Sequence, residues 1–330
     1  MAEKYFFNVP VDYNASERLD SYICSNLISE KSTLTRSQVK AQVKSILVNG
    51  KEKKLSYKVS TNDRIEIELE SNIPSQFDPE NIPLEILYED ENVCVINKEQ
   101  GMVVHPACGN WTGTLVNALL FHWNRNSIQE KACENTNEML ANRRPGIVHR
   151  LDKETSGIII TAKNIESQEF LAGQFRKIKN IVKEYICICC GRPSKNSGVI
   201  KTQIIRDPRD RKKFKAVENT TEGKYSETVY KCISFYGNYT LMRVRLHTGR
   251  THQIRVHMKY LNCPILGDEI YGFQDKSFPN ATLMLHSRLL KINIPGKEEI
   301  QVFKTETPER FLKVEKRLKQ MYKKEVPVEI

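Results

Sequence analysis

Long apolar runs are missing from this chain of 330 residues. With no stretch of about 18 apolar residues, a helical membrane span is excluded. The opening Met-Ala-Glu-Lys-Tyr-Phe-Phe lacks the apolar core of a secretory signal, so a cytoplasmic protein is expected. Glycine is sparse, at 15 residues, and no β-α-β period with a Gly-rich phosphate loop appears. That counts against a methyltransferase. The nine cysteines are odd in number and scattered, so a disulfide framework is excluded. No second Cys-x-x-Cys or Cys/His pair stands at zinc-ligand spacing, and no carboxylate cluster suggests a metal nuclease. No metal and no cofactor are expected. Cys187, Cys189 and Cys190 read as reduced thiols acting as small hydrophobes in a strand.

Positive charge is in excess, with 51 Lys and Arg against 40 Asp and Glu, net +11. The excess is local. Residues 1–75 carry net +1, residues 76–140 net −7, and residues 176–217 net +10. The densest part is Arg206-Asp-Pro-Arg-Asp-Arg-Lys-Lys-Phe-Lys215, whose Pro and charges suit an exposed loop. Arg209, Arg211, Lys212 and Lys213 there can pair with phosphates or simply solubilise the surface, and charge alone does not choose.

The pattern predicts a domain at 1–75, a linker at 76–83, a second domain at 84–305 and a charged, helical tail at 306–330. In the first domain Leu19, Ile23 and Leu27 share one helical face. Thr35–Val43 reads as a second helix with Arg36, Lys40 and Lys44 on one side, a stripe for a phosphate backbone or for water. Asn49-Gly50 marks a turn, and Asp63–Leu69 alternates as a half-buried strand. Pro74, Pro79 and Pro83 give the linker its composition. Beyond it, Leu84–Lys98 reads as a hairpin, and Gly146–His149 and Gly157–Lys163 as strands. Asn164 caps a helix with Phe170, Leu171, Phe175 and Ile178 on one face. Strands follow at 183–190, 227–235 and 239–247, then a helix holding Ile254, Met258 and Leu261. The fold class is α+β, a mixed or antiparallel sheet preceded by a small α/β unit.

Two constellations carry chemistry. In Gly146-Ile-Val-His-Arg-Leu-Asp-Lys-Glu-Thr-Ser-Gly157 a loop offers His149, Arg150 and Asp152 within a few residues. Asp152 suits a nucleophile, a general base, a metal ligand or a turn-stabilising carboxylate, and His149 a structural role. In Leu246-His-Thr-Gly-Arg-Thr-His-Gln-Ile-Arg-Val-His257, Arg250 and Arg255 flank a Gly turn and fit a phosphate clamp as readily as catalysis. The five-residue spacing of His247, His252 and His257 separates them in direction and argues against a shared metal.

Residues 16–70 resemble the alpha-L RNA-binding motif, through Arg18-Leu-Asp20, Ser37-Gln-Val39, Val48-Asn-Gly-Lys51, Ser56-Tyr-Lys-Val59 and Asp63. The resemblance implies binding of structured RNA, with Arg36 and Lys40 as contacts. The two constellations together, with Gly101–Pro106, Gly113–Leu119, Lys183-Glu-Tyr185, Arg206–Arg211 and Pro264–Asp268, resemble the RluA/RluD-type pseudouridine synthases over residues 82–295. That resemblance implies isomerisation of uridine in RNA without metal or organic cofactor. Asp152 matches the family's catalytic aspartate, Arg255 the basic residue that pairs with it, Tyr185 the tyrosine against the base, and Arg150 the arginine that fills the stack when the uridine flips out. The expected partner is structured RNA, ribosomal RNA of the large subunit first and transfer RNA second, acted on by a monomer. A non-catalytic RNA-binding or ribosome-assembly protein is the rival reading, and the complete set of Asp152, Tyr185 and Arg255 counts against it.

Overall fold

The computed structural model describes residues 2–13, 17–29, 36, 39–40, 43–70, 78–106, 110–124, 146–177, 181–210, 212–322 and 326–327. The chain forms two compact units, one of residues 1–82 with 105–145, the other of residues 83–104 with 146–330.

In the first unit, β1 (Ala2–Asn8), β2 (Val43–Val48), β3 (Lys51–Glu52) and β4 (Arg64–Glu70) form an antiparallel sheet in the order β1-β4-β2-β3. Ile65, Ile67 and Leu69 alternate into the core, as a two-residue period demands. Asn49 and Gly50 take φ of 52° and 74°, the left-handed backbone that a two-residue hairpin turn needs. Helix α1 (Leu19–Ser29) buries Leu19, Ile23 and Leu27 on that core. The helix expected over Thr35–Val43 falls mostly outside the described residues, and its C-terminal end is corrected. Val43 and Lys44 open β2, and Lys44 ion-pairs with Glu68 across the sheet rather than joining a helical stripe.

Helix α2 (Leu115–His122) starts at Thr114, whose hydroxyl caps the Asn117 N–H while Asn117 caps back. Asn117 also donates to the Asp78 carbonyl, and Gly113 donates to the Glu80 carboxylate. These bonds explain why residues 105–124 cluster with residues 78–82, a division that differs from an unbroken second domain over 84–305. Residues 125–145 lie outside the described residues.

The second unit is built on one large sheet. Its strands are β5 (Ile86–Glu89), β6 (Val93–Lys98), β7 (Ser156–Ala162), β8 (Val182–Cys190), β9 (Ser197–Arg206), β10 (Phe214–Val217), β11 (Lys224–Tyr236), β12 (Tyr239–Leu246), β13 (Leu285–Ile292), β14 (Gln301–Lys304) and β15 (Val326–Pro327). The order is β10-β9-β11-β12-β8-β13-β7-β6-β5, with β14 beside β13 and β15 beside β11. Among the described pairs only β13 and β7 run parallel; the rest are antiparallel. β7 and most of β8 are buried on both faces, which is why they read as continuous apolar runs.

Helix α3 (Ile165–Lys177) is capped by the Asn164 side chain on the Ser167 N–H, and it buries Leu171. Phe170 is exposed instead of joining that face, and Ile178 lies outside the described residues. Helix α4 (Gln253–Tyr260) buries Ile254, Val256 and Met258, while Leu261 is only its half-buried C-cap.

Two expectations change here. Gly146–His149 is no strand: only Ile147 makes a bridge, to Thr161, before the chain turns into the Asp152 loop. The stretch Arg206–Lys215 is less loop than its charge suggests, because β9 and β10 pair on either side of the turn between them. The charged tail holds a helix that packs: α5 (Glu309–Tyr322) buries Phe311, Val314 and Leu318, and Arg310 donates to the Ser156 hydroxyl.

Candidate active site

Asp152 sits in the loop leading from Arg150 to β7, with a side chain 18% exposed. Its loop is braced from below by a lysine. Lys98, only 1% exposed, donates to the carbonyls of Glu99, Met102 and Lys153 at 2.8, 2.9 and 3.2 Å. The Gly101 N–H shares the Lys153 carbonyl. Burial pulls the Lys98 ammonium down to about 8, against the pull of Glu154 and Asp152. Gly157 then crosses close to β13, where only hydrogen fits: its φ is +109° and a Cβ would lie 2.2 Å from the Ser287 carbonyl.

Arg255 comes from α4 and faces two carboxylates. Its Nε and one terminal nitrogen make a bidentate pair with Asp268 at 2.8 and 2.7 Å. The other terminal nitrogen lies 3.6 Å from Asp152 Oδ2. Burial opposes the Arg255 charge, but the Asp268 hydrogen bonds together with the charges of Asp268 and Asp152 outweigh it and raise its pKa. Asp268 is itself fixed by the N–H groups of Ile270 and Tyr271, and the Tyr271 ring lies 5.2 Å from the guanidinium. Arg255 is therefore aimed at Asp152 by a tighter pair behind it, a geometry in which the fork of an arginine matters.

A second group approaches Asp152 from the other oxygen. His252 Nε2 is 4.0 Å from Oδ1. The Phe214 N–H donates to the Tyr271 oxygen at 3.0 Å, and that hydroxyl lies 2.8 Å from His252 Nδ1. A phenol that donates to Nδ1 places the imidazole proton on Nε2, facing the carboxylate. Burial lowers the His252 pKa, with Asp152 opposing, so the neutral ring is favoured. His252 has φ of 56°, a left-handed backbone uncommon for this residue type, at the N-cap of α4. Gln253 holds the turn before it, accepting from the Thr248 hydroxyl and the Arg250 N–H and donating to the Glu227 carbonyl.

Tyr185 lies on β8, next in register to Ser287 of β13 and Val244 of β12. Burial pushes its phenol to about 12; the Ser287 hydrogen bond opposes this and the Asp152 charge adds to it. It stays a neutral, mostly apolar ring at neutral pH. The arrangement offers an ionisable carboxylate, a fixed cation and an aromatic wall in one unit.

The remaining sequence-identified residues are spread. Arg150 is exposed, and its charge acts on His252. Arg250 is exposed and donates to the Tyr225 carbonyl. Arg209 and Lys212 are exposed at the turn between β9 and β10, Lys213 lies 3.5 Å from Asp210, and Arg211 falls outside the described residues. In the first unit Arg36 pairs with Asp20, which Arg18 also holds, and Lys40 is exposed. His149 is structural as expected: it accepts the Ile160 N–H, stacks on Phe175, and burial takes it down to about 3. His257 bonds to Thr202, Ser226 and Thr228 away from Asp152. Sequence reasoning gave no role to Lys98, His252, Asp268 or Tyr271. All four stand in or beside quoted motifs, but nothing in their spacing tells a brace from a bystander.

Residues 92–260 match the family described as RNA pseudouridylate synthase. The chain is 46% identical over 301 residues to a Borreliella burgdorferi protein named ribosomal large subunit pseudouridine synthase D, covering 89% of this chain and 87% of that one. It is 40% identical over 310 residues to an uncharacterized RNA pseudouridine synthase of Aquifex aeolicus, covering 90% and 92%. The solved structure of human RNA pseudouridylate synthase domain containing 4 shares the fold, with a TM-score of 0.54 at 24% identity over 71% of this chain and 93% of that one. The chain thus belongs to the RNA pseudouridine synthases, of the RluA/RluD type, and is an RNA-modifying isomerase.

Proposed function

We propose that this enzyme converts uridines of large-subunit ribosomal RNA to pseudouridine, with Asp152 as its nucleophile. Support for the RNA class comes from the relatives named ribosomal large subunit pseudouridine synthase D. Support for the residue comes from one observation: Asp152 is a partly open carboxylate whose neighbouring cation, Arg255, is held on Asp268. The reaction breaks the N1–C1′ bond and forms a C5–C1′ bond, while C5 loses its hydrogen and N1 gains one. No electron is gained or lost, so no redox group is required. Asp152 attacks the nucleoside covalently and is expelled when the ribose has been rejoined at C5. Arg255, 3.6 Å from the carboxylate, orients it for attack. Tyr185 provides the wall against which the flipped uracil packs, and Arg150 occupies the space it leaves; extrusion costs a few kcal/mol. Arg250 and the turn bearing Arg209, Arg211, Lys212 and Lys213 hold the RNA backbone, and Arg36 and Lys40 of the first unit add a separate contact. Asp152, Tyr185 and Arg255 come from one unit of one chain, which supports an enzyme acting as a monomer; a cytoplasmic setting goes with the ribosomal RNA target.

Tritium release from RNA carrying 5-tritiated uridine tests the nucleophile. Asp152→Ala and Asp152→Asn are expected to abolish release while leaving RNA affinity within about threefold, since neither removes a phosphate contact. Retained turnover in Asp152→Ala would assign the chemistry elsewhere. Mapping pseudouridine in ribosomal and transfer RNA from a strain lacking the protein tests the target: sites lost only from transfer RNA would overturn the ribosomal assignment.

A further inference from the structure

Lys183 is nine-tenths buried on β8 yet its ammonium has no hydrogen bond or ion pair among the described residues. Its neighbours make this stranger. A Cβ added at Gly249 would lie 3.6 Å from its Nζ, so the ammonium ends beneath the turn that carries Arg250. The Arg250 guanidinium is close enough to repel it, and with burial, the larger cause, brings it down to about 8. The nearby His149 is neutral and offers no counter-charge. A buried charge without a partner costs free energy, and a methionine of similar length would cost none. Two cations sharing one place, with no acid paired to Lys183 among the described residues, describe half of an anion site.

We propose that Lys183 and Arg250 form the seat of a phosphodiester flanking the flipped uridine. The assignment rests on the reaction proposed above. Lys183 and Tyr185 point to the same face of β8, about 6–7 Å apart along the strand, a span that a base and a neighbouring phosphate of one nucleotide can bridge. Tyr185 takes the base and Lys183 the backbone. The Arg250 turn closes over the anion because Gln253 fixes it by accepting the Arg250 N–H. Gly249 keeps that approach open, since it brings no side chain over the ammonium.

The test uses full-length protein, the Lys183→Met and Arg250→Gln variants, and synthetic RNA of the mapped site with one neutral methylphosphonate at either phosphate beside the target uridine. Lys183→Met is expected to melt no lower than the wild type, because no native partner is lost. It should raise KM on native RNA by about 10–150-fold, the range for losing a hydrogen bond to a charged group, and reduce the log–log salt slope by about 0.7. One of the two methylphosphonates should harm the wild type to the same extent and leave Lys183→Met unaffected; Lys183→Arg should retain most of the affinity. Equal sensitivity of wild type and Lys183→Met to both methylphosphonates would overturn the seat. So would a Lys183→Met protein that unfolds early with unchanged KM, which would make Lys183 a structural residue. Arg250→Gln must share the methylphosphonate-insensitive behaviour, even if Lys183→Met fails to fold; if it does not, the seat is wrong. A wild type inert toward all uridine RNA would instead remove the proposed reaction, and this assignment with it.

Discussion

Asp268→Asn is the substitution whose effect the structure specifies most fully. Arg255 and Asp268 have side chains 6% and 0% exposed, and their contacts are bidentate. Removing the anion leaves a guanidinium in a buried place with only Asp152, 3.6 Å away, as its counter-ion. Breaking a buried pair from one side costs about 3–5 kcal/mol. The asparagine carbonyl can still accept the Ile270 and Tyr271 N–H groups, so the lower end is expected. For a unit of about 200 residues each kcal/mol moves Tm by roughly 2–4 °C, so that lower end gives a fall of about 6–12 °C. Arg255 is then free to move toward Asp152. A shift of about 1 Å in a reacting group can cost about 100-fold, so tritium release should fall by at least about tenfold with little change in RNA affinity. Calorimetry of the purified variant and single-turnover tritium release measure the two effects. The control is Arg255→Met combined with Asp268→Leu, which removes both charges; it should melt above Asp268→Asn and remain inactive. A Tm of Asp268→Asn within about 2 °C of wild type, or a double variant less stable than the single one, would refute the argument that this pair carries Arg255.

Three further outcomes are expected. His257 is fully buried among Thr202, Ser226 and Thr228, and burial holds it down to about 4. The unfolded chain takes up its proton near pH 6.5, so stability present above that pH drains away as pH falls toward 4, by about 3 kcal/mol for this one residue and about 2 kcal/mol of it between pH 7 and 5; urea titrations at pH 7 and 5 should show it, and His257→Gln should remove that share while the neutral buried His149 and His286 keep the rest. Gly157→Ala forces a Cβ to within 2.2 Å of the Ser287 carbonyl at a φ of +109°, so loss of soluble protein or a Tm drop larger than that of Asp268→Asn is expected; a melting curve like that of wild type would mean β7 and β13 do not approach so closely. Arg209→Ala with Lys212→Ala should flatten the salt dependence of RNA binding by about 1.4–1.8 in log–log slope, whereas Lys213→Ala, already beside Asp210, should change it by less than either single alanine variant, as read by filter binding at several salt concentrations.

Local pattern was enough to place α1, the alternating strand β4 and the Asn49-Gly50 turn, because each depends on neighbours in sequence. Asp152, Tyr185 and Arg255 were singled out by the family resemblance rather than by local pattern, and the fold brings Arg255 to within 3.6 Å of Asp152. Pattern failed where the deciding partner is distant. Gly146–His149 looks like a strand, but only Ile147 has an edge to bridge. Charge and Pro208 made β9 and β10 look like loop, while their ladder comes from each other and, for β9, from β11. The tail was legible as a helix by its charge and spacing, yet its burial could be read only once Phe311 and Leu318 had a sheet to meet. Most of the active-site wiring belongs to this second kind. Arg255 pairs with Asp268 across a turn, and His252 meets the Tyr271 hydroxyl, which in turn receives the Phe214 N–H from another strand. Such bonds are set by which backbone segments the packed core brings within about 3 Å, and distance through space at that scale is written nowhere in the order of residues.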